Sequence, residues 1–241
     1  MSNSSLATYI WTGSKTNCNP RDHKIDRITI HMMAGNGSLY TCFSWLSRPG
    51  NEGSVNYGID SNGTIGVMID EKYRAWTSSN RANDMRAVTI EVANDSGAPN
   101  WHVSNKAMTS LIALCVDICK RNGIKKLEYT GDKTCKTGNM SLHKWFAATD
   151  CPGPYLESKM VYIANEVNKK LGTANTSTPV EKVKDVVNNI TSTTVNYLIR
   201  VTATDGLNIR KGPGVNYAIV AYSGCKYNGV YTIVAEKKNG S

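Results

Sequence analysis

The sequence predicts an α/β fold, a central mixed β-sheet flanked by helices, with a small all-β module behind it. Three observations carry that expectation. Apolar runs of period two alternate with runs of period three to four through the first 171 residues. Asn62-Gly63 separates two apolar runs, the strongest short-range hairpin signal in the chain. The last 45 or so residues are short β-rich runs broken by Asp205-Gly206, Gly212-Pro213-Gly214 and Asn228-Gly229. A chain of 241 residues has room for one sizeable domain of roughly 100–200 residues and a smaller one.

The elements follow in order. Residues 25–33, IDRITIHMM, alternate apolar and polar and read as a strand ending near His31. Ser38 is placed to cap a short amphipathic helix, LYTCFSWLSR, that Pro49-Gly50 stops. Residues 55–69 form the hairpin. AVTIEVAN at 87–94 is a strand with Val88, Ile90 and Val92 on one face and Thr89 and Glu91 on the other. From Ser104, Ala107, Leu111, Leu114, Cys115, Ile118 and Cys119 recur at helical steps up to Gly123. KKLEYTG at 125–131 reads as a short strand. YLESKMVYIANEVNKKL, after Cys151-Pro-Gly-Pro, reads as a helix with Lys169 and Lys170 complementing its dipole. The first domain is expected at 1–171. A Thr/Asn/Ser/Val-rich linker, with room for a short helix at 180–190, follows at 172–196, and the β module occupies 197–241.

Composition excludes several classes. With 40% hydrophobic and 20% charged residues and no apolar run near the ~20 of a membrane span, no membrane insertion is expected. The net charge of +9 is spread over both halves without basic clusters interleaved with aromatics, so no nucleic acid partner is expected. A diffuse positive field suits a polyanionic surface such as cell-wall polymers. Seven scattered cysteines do not make a disulfide framework. The N-terminus has no basic, apolar or cleavage region of a secretory signal, so the expectation is cytoplasmic accumulation.

The chemistry centres on few residues. The chain has four histidines, and LHKWFAATDCPGP places His143 eight residues before Cys151. Imidazole and thiolate are zinc ligands, and a catalytic site uses three protein ligands with a fourth position open. His31, His143 and Cys151 would supply two nitrogens and a sulfur. Each also has a bland reading, as a strand histidine, a loop histidine and a buried cysteine. Cys115 and Cys119 lie in the apolar stripe of their helix and read as core. His23 and His102 lack partners at ligand spacing and read as surface residues. Trp76, Trp101 and Trp145 suit sugar stacking as well as they suit a groove wall.

In chain order, ITIHMM, the hairpin Asn-Tyr57-Gly-Ile-Asp-Ser-Asn-Gly-Thr-Ile, Ala75-Trp76, Asn83 before VTIE, His143 and Cys151-Pro-Gly resemble the type 2 N-acetylmuramoyl-L-alanine amidases. These share a fold with phage lysozyme-type amidases and peptidoglycan recognition proteins. The likeness spans roughly residues 8–171. It implies zinc (Zn2+) on His31, His143 and Cys151, and hydrolysis of the amide joining N-acetylmuramic acid to L-alanine in bacterial peptidoglycan. The metal would polarise the carbonyl and bring the pKa of its water to about 7. Glu91 matches the strand glutamate that serves as base. Tyr57 matches a hairpin tyrosine placed to donate to the oxyanion. Some relatives carry a lysine two residues before the metal cysteine, where this chain has Thr149. A histidine usual after Ala-Trp is replaced by Thr77 and Ser78. A non-catalytic peptidoglycan binder and a zinc peptidase cutting within the stem peptide are the rival readings.

The run TDGLNIRKGPGVNYAIV resembles bacterial SH3-like domains. That implies a cell-wall-binding module, expected to be shortened because the last strand or two of such a barrel have no counterpart before Ser241. Together these features suggest a phage or prophage endolysin acting at the wall after release, or a bacterial autolysin.

Overall fold

The computed structural model describes residues 2–172 and the backbone of residues 192–200 and 230–237. The chain divides into two compact units, Met1–Thr178 and Pro179–Ser241. In the first unit the order is β1 (Tyr9–Ile10), β2 (Cys18–Pro20), β3 (Arg27–Met32), α1 (Leu39–Ser47), β4 (Tyr57–Ile59), β5 (Ile65–Val67) and β6 (Tyr73–Ala75). It continues with α2 (Arg81–Arg86), β7 (Ala87–Val92), α3 (Asn105–Asn122), β8 (Met140–Leu142), a single 3-10 turn at His143–Trp145 and α4 (Gly153–Leu171).

Six strands make one mixed sheet in the order β1-β5-β4-β7-β3-β8, and β2 with β6 forms a separate antiparallel pair. Only β4 and β5 are antiparallel neighbours in the large sheet, joined by the expected hairpin with Gly63 at φ +87°. β4, β7, β3 and β8 run parallel. A parallel sheet is covered on both faces, and every residue of β3 is buried.

The alternation along β3 and β7 decides what each face holds. Ile28, Ile30, Val88, Ile90 and Val92 pack into the main core with Leu111, Leu114 and Ile118 of α3 and Leu156, Met160 and Ile163 of α4. Burying one such side chain contributes about 1.5–3 kcal/mol. The two long helices start and stop where their caps require. Ser104 accepts the Ala107 N–H at 3.1 Å, worth about 1 kcal/mol, and Gly123 takes the left-handed conformation that ends α3. Cys115 and Cys119 are fully buried in this core, as their place in the stripe predicts.

On the opposite face α1 covers β4 and β5. Ser38 caps it through the Thr41 N–H at 3.1 Å, and Leu39, Phe43 and Leu46 face the sheet. Gly58 permits that approach, since a Cβ there would stand 2.8 Å from the Phe43 ring and 2.9 Å from Leu39. On β7, β3 and β8 the positions alternating with the apolar core residues are the buried polar side chains Thr89, Thr29, His31 and Ser141.

Residues 125–131 are not a strand. Asn168 of α4 binds both the N–H and the carbonyl of Leu127, each at 2.8 Å, and the Asn139 side chain takes the Glu128 N–H at 2.7 Å. Side-chain amides replace the ladder that the pattern suggests. The strand at that edge is instead Met140–Leu142, which the sequence reading passed over.

In the second unit β9 (Ser192–Arg200) pairs antiparallel with β10 (Val230–Lys237), in register from Arg200↔Val230 to Ser192↔Lys237 with one irregularity between Ile233 and Ala235. β9 begins inside the stretch expected as linker. The expected helix at 180–190, the three turn signals and the whole of the SH3-like run lie outside the described residues.

Candidate metal centre and its cleft

The parallel register sets His31 of β3 beside Glu91 of β7 on the polar face. Leu142 of β8 pairs with Ile30, so the chain leaves the sheet at His143 next to His31. The two imidazole rings lie 4.9 Å apart. Cys151 joins them through the main chain: its carbonyl accepts the Lys144 N–H at 3.1 Å, which folds residues 144–151 back on themselves. Thr149 Oγ1 accepts the Cys151 N–H at 3.2 Å, and the Cys151 Sγ stands 3.4 Å from His31 Nδ1. One ligand atom from each of His31, His143 and Cys151 falls within 4.8 Å of the others. These ligands sit at the carboxyl ends of parallel strands, where open α/β sheets place their sites.

Glu91 Oε1 lies 4.0 Å from His31 Nδ1. His31 Nε2 and Glu91 Oε2 are buried and find no hydrogen-bond partner among the described residues. Leaving such an atom unpaired costs about 1–3 kcal/mol, so two orphans side by side call for a further partner.

Burial governs the charge states. It pushes His31 well below the usual imidazole range, with His143 adding to the effect, and it lowers His143 against the opposing charge of Asp84. Burial pushes Glu91 up to about 8. It also raises the Cys151 thiol, with the Glu91 charge adding to it and the Met32 N–H opposing. The site thus presents two neutral imidazoles and a thiol that ionises only against a cation. Two nitrogens, one sulfur and a poised carboxylate fit a zinc ion with one open position.

Beneath the ligands lies a polar floor. Ser141 Oγ meets Thr29 Oγ1 at 2.8 Å and donates to Asn83 Oδ1 at 2.8 Å, while Asn83 Nδ2 reaches Thr29 Oγ1 at 3.1 Å. Asp84 accepts the Thr77 and Ser78 N–H groups, both at 3.1 Å, and the Thr77 and Thr89 hydroxyls meet at 2.8 Å. α2 supplies Asn83 and Asp84, and its cap, Asn80 accepting the Asn83 N–H, was the readable signal for this helix.

Four of the six residues singled out in the sequence come together: His31, His143, Cys151 and Glu91. Thr149 joins their edge through the Cys151 backbone. Tyr57 does not, and its expected role as oxyanion donor is corrected. It pairs with Ile90, one position out of phase with Glu91, so it faces the helix side of the sheet. Its hydroxyl donates to Glu71 Oε1 at 2.5 Å and accepts the Ser4 N–H at 2.7 Å. Arg121 holds the same Glu71 carboxylate at 2.6 Å, so Tyr57 ties the N-terminal segment to the core. His23 and His102 lie outside the ligand group, each in a solvent-exposed pair, with Asp22 at 2.9 Å and Asp95 at 2.6 Å. Among the described residues no helix is long and apolar enough to cross a membrane.

A family model described as N-acetylmuramoyl-L-alanine amidase matches residues 21–154. The Staphylococcus aureus hydrolase AmiA, solved with its ligand, is 14% identical with a TM-score of 0.51, the match covering 70% of this chain and 87% of that one. An endolysin N-acetylmuramoyl-L-alanine amidase, LysCS from Clostridium intestinale URNW, is 20% identical over 66% of this chain and 98% of that one, TM-score 0.47. A mutant endolysin from Bacillus subtilis is 16% identical over 67% and 97%, TM-score 0.48. No curated protein matches the sequence.

Proposed function

The chain belongs to the N-acetylmuramoyl-L-alanine amidase family, and from that premise we propose that it is a zinc amidase that frees stem peptides from peptidoglycan, as an endolysin or autolysin does. The observation that carries this reading is the convergence of His31, His143 and Cys151 within 4.8 Å beside a carboxylate with an unpaired oxygen. Zinc held by these three side chains supplies a Lewis acid for the scissile carbonyl and acidifies the attacking water.

The remaining work falls to the chain. Glu91, raised by burial in the absence of a cation, is drawn toward its ionised form by a positive charge nearby. As the carboxylate it takes a proton from the attacking water, and as the acid it returns one to the leaving nitrogen of L-alanine. Thr149 accepts the Cys151 N–H with its oxygen, which leaves its own proton to donate to the developing oxyanion. The buried polar floor holds β3, β7 and β8 in the register that brings the ligands together.

Residues 197–241 are proposed as an SH3-like module for cell-wall polymers, on the strength of TDGLNIRKGPGVNYAIV. Digestion of purified peptidoglycan by the zinc-loaded protein, followed by mass spectrometry, tests the reading. Stem peptides beginning with L-alanine, with glycans left carrying bare lactyl groups, are expected. New termini within the stem would make the protein a peptidase, and an uncut wall that retains the protein would make it a binder.

A further inference from the structure

Arg74 is an arginine with a buried nitrogen that finds no partner among the described residues. It lies in β6 with only 9% of its surface exposed. Its Nε is buried without a partner, and its guanidinium makes no hydrogen bond or ion pair among the described residues. What it does touch is the Trp76 ring, 5.2 Å from the guanidinium carbon. A buried donor is ordinarily hydrogen-bonded, because leaving it unpaired costs about 1–3 kcal/mol. The two acids whose charges reach Arg74, Asp84 and Asp22, are both engaged: Asp84 by Thr77 and Ser78, Asp22 by Arg81 at 2.7 Å.

The surroundings complete a receptor. Trp76 directly follows β6, two residues after Arg74, with its ring against the guanidinium, and Asn19 of β2 pairs with Arg74 across the ribbon. The indole N–H of Trp76 donates to Asn19 Oδ1 at 2.7 Å. Because an indole only donates, the carbonyl end of this amide faces the tryptophan and Nδ2 is left free, with no partner among the described residues. The shelf is tied to the floor of the cleft. Trp76 donates its backbone N–H to Ser54 Oγ at 2.8 Å, and the next residue, Thr77, touches Thr89 on β7. Thr89 is two residues before Glu91 on the same face, about 7 Å along the strand.

Resting on the amidase reading, we propose that Arg74, Asn19 and Trp76 form a subsite that receives a free carboxylate of the stem peptide beyond the scissile amide. A guanidinium backed by an aromatic ring suits this ligand: its planar fork matches a carboxylate with two parallel hydrogen bonds. Asn19 Nδ2 adds a third donor, and the Trp76 ring packs the apolar part of the peptide. Nothing covalent happens here. The subsite selects and aligns the peptide whose amide lies over Glu91.

The test is calorimetric titration of the zinc-loaded full-length Glu91→Gln protein with N-acetylmuramyl-L-alanyl-γ-D-glutamyl-L-lysine, its carboxylates free, and with the same compound amidated. At least tenfold tighter binding of the free acid is expected. Adding Arg74→Met should abolish that preference, and Arg74→Lys should keep part of it. Arg74→Met should also melt at or above the parent temperature, since it removes a buried donor with no partner among the described residues; a structural arginine would lower it. Equal binding of the two compounds, no binding of either, or a preference that survives Arg74→Met would each overturn the subsite. A wild-type chain that releases no L-alanyl peptide while Glu91→Gln keeps the preference would defeat the amidase reading and leave the subsite standing.

Discussion

The Cys151 sulfur lies 3.4 Å from His31 Nδ1, although 120 residues of chain separate them. Both positions are fixed by main-chain geometry: His31 by the β3–β7–β8 register, Cys151 by its carbonyl bond to the Lys144 N–H. The ligand set therefore belongs to the fold, and its members can be removed singly.

His143 stands half-exposed on a 3-10 turn, so its loss leaves no core cavity. His143→Ala is expected to abolish activity and stoichiometric zinc while the circular dichroism spectrum and melting temperature of the metal-free protein stay near wild type. Metal analysis showing one zinc per chain in the variant would remove His143 from the ligand set.

Glu91→Gln preserves shape and leaves His31, His143 and Cys151 in place. The expected outcome is wild-type zinc content with turnover reduced about 10²–10⁴-fold, the usual contribution of a positioned acid–base group. Steady-state kinetics on a muropeptide would show the loss in kcat, with KM nearly unchanged.

The same substitution has a pH signature in the metal-free protein. Burial raises the folded-state pKa of Glu91 to about 8, above its unfolded value near 4.5. The folded chain thus holds the proton more tightly, and this residue's contribution, present below about 4.5, is lost as pH rises toward 8. Glu91→Gln should accordingly melt with wild type at pH 4.5 and above it at pH 8, the gap opening between. Parallel melting curves across that range would mean that Glu91 is not desolvated.

Tyr57→Phe separates stability from catalysis. It leaves the buried Ser4 N–H without its acceptor while Arg121 still holds Glu71 Oε1, and an unpaired buried donor costs about 1–3 kcal/mol. Chemical denaturation should show that loss while turnover per folded molecule stays unchanged. A fall in kcat without a fall in stability would restore Tyr57 to the site.

Thr149 stands at the edge of the metal centre through its bond to the Cys151 N–H. Thr149→Ala should lower kcat about fivefold, the scale of one neutral hydrogen bond at about 1 kcal/mol, and Thr149→Ser should recover most of it. Equal rates for all three proteins would leave the oxyanion to other donors.

What could be read from the sequence was what repeats or caps. The alternation in AVTIEVAN gave the face of Glu91, Ser38 and Ser104 marked two helix starts, and Asn62-Gly63 marked the hairpin. What escaped it depends on distant partners. Met140–Leu142 is three residues long and becomes a strand only against β3. Residues 125–131 have strand composition, yet Asn168 and Asn139 satisfy their backbone. Tyr57 was placed by the order of motifs, which fixes a position along β4 without the phase of its side chain; the pairing with Ile90 supplies that phase. Arg74 gave no sequence signal, because an unpaired guanidinium is recognised only once its surroundings are known.

The central claim is that a thiolate and two imidazoles from these positions bind one catalytic metal ion. Cobalt-substituted protein tests it most directly, through the near-ultraviolet charge-transfer absorption of a cobalt–thiolate bond. The account predicts that band in wild type, its loss in Cys151→Ser, and its persistence in Glu91→Gln. A band that survives Cys151→Ser unchanged would contradict it, placing the metal on another sulfur.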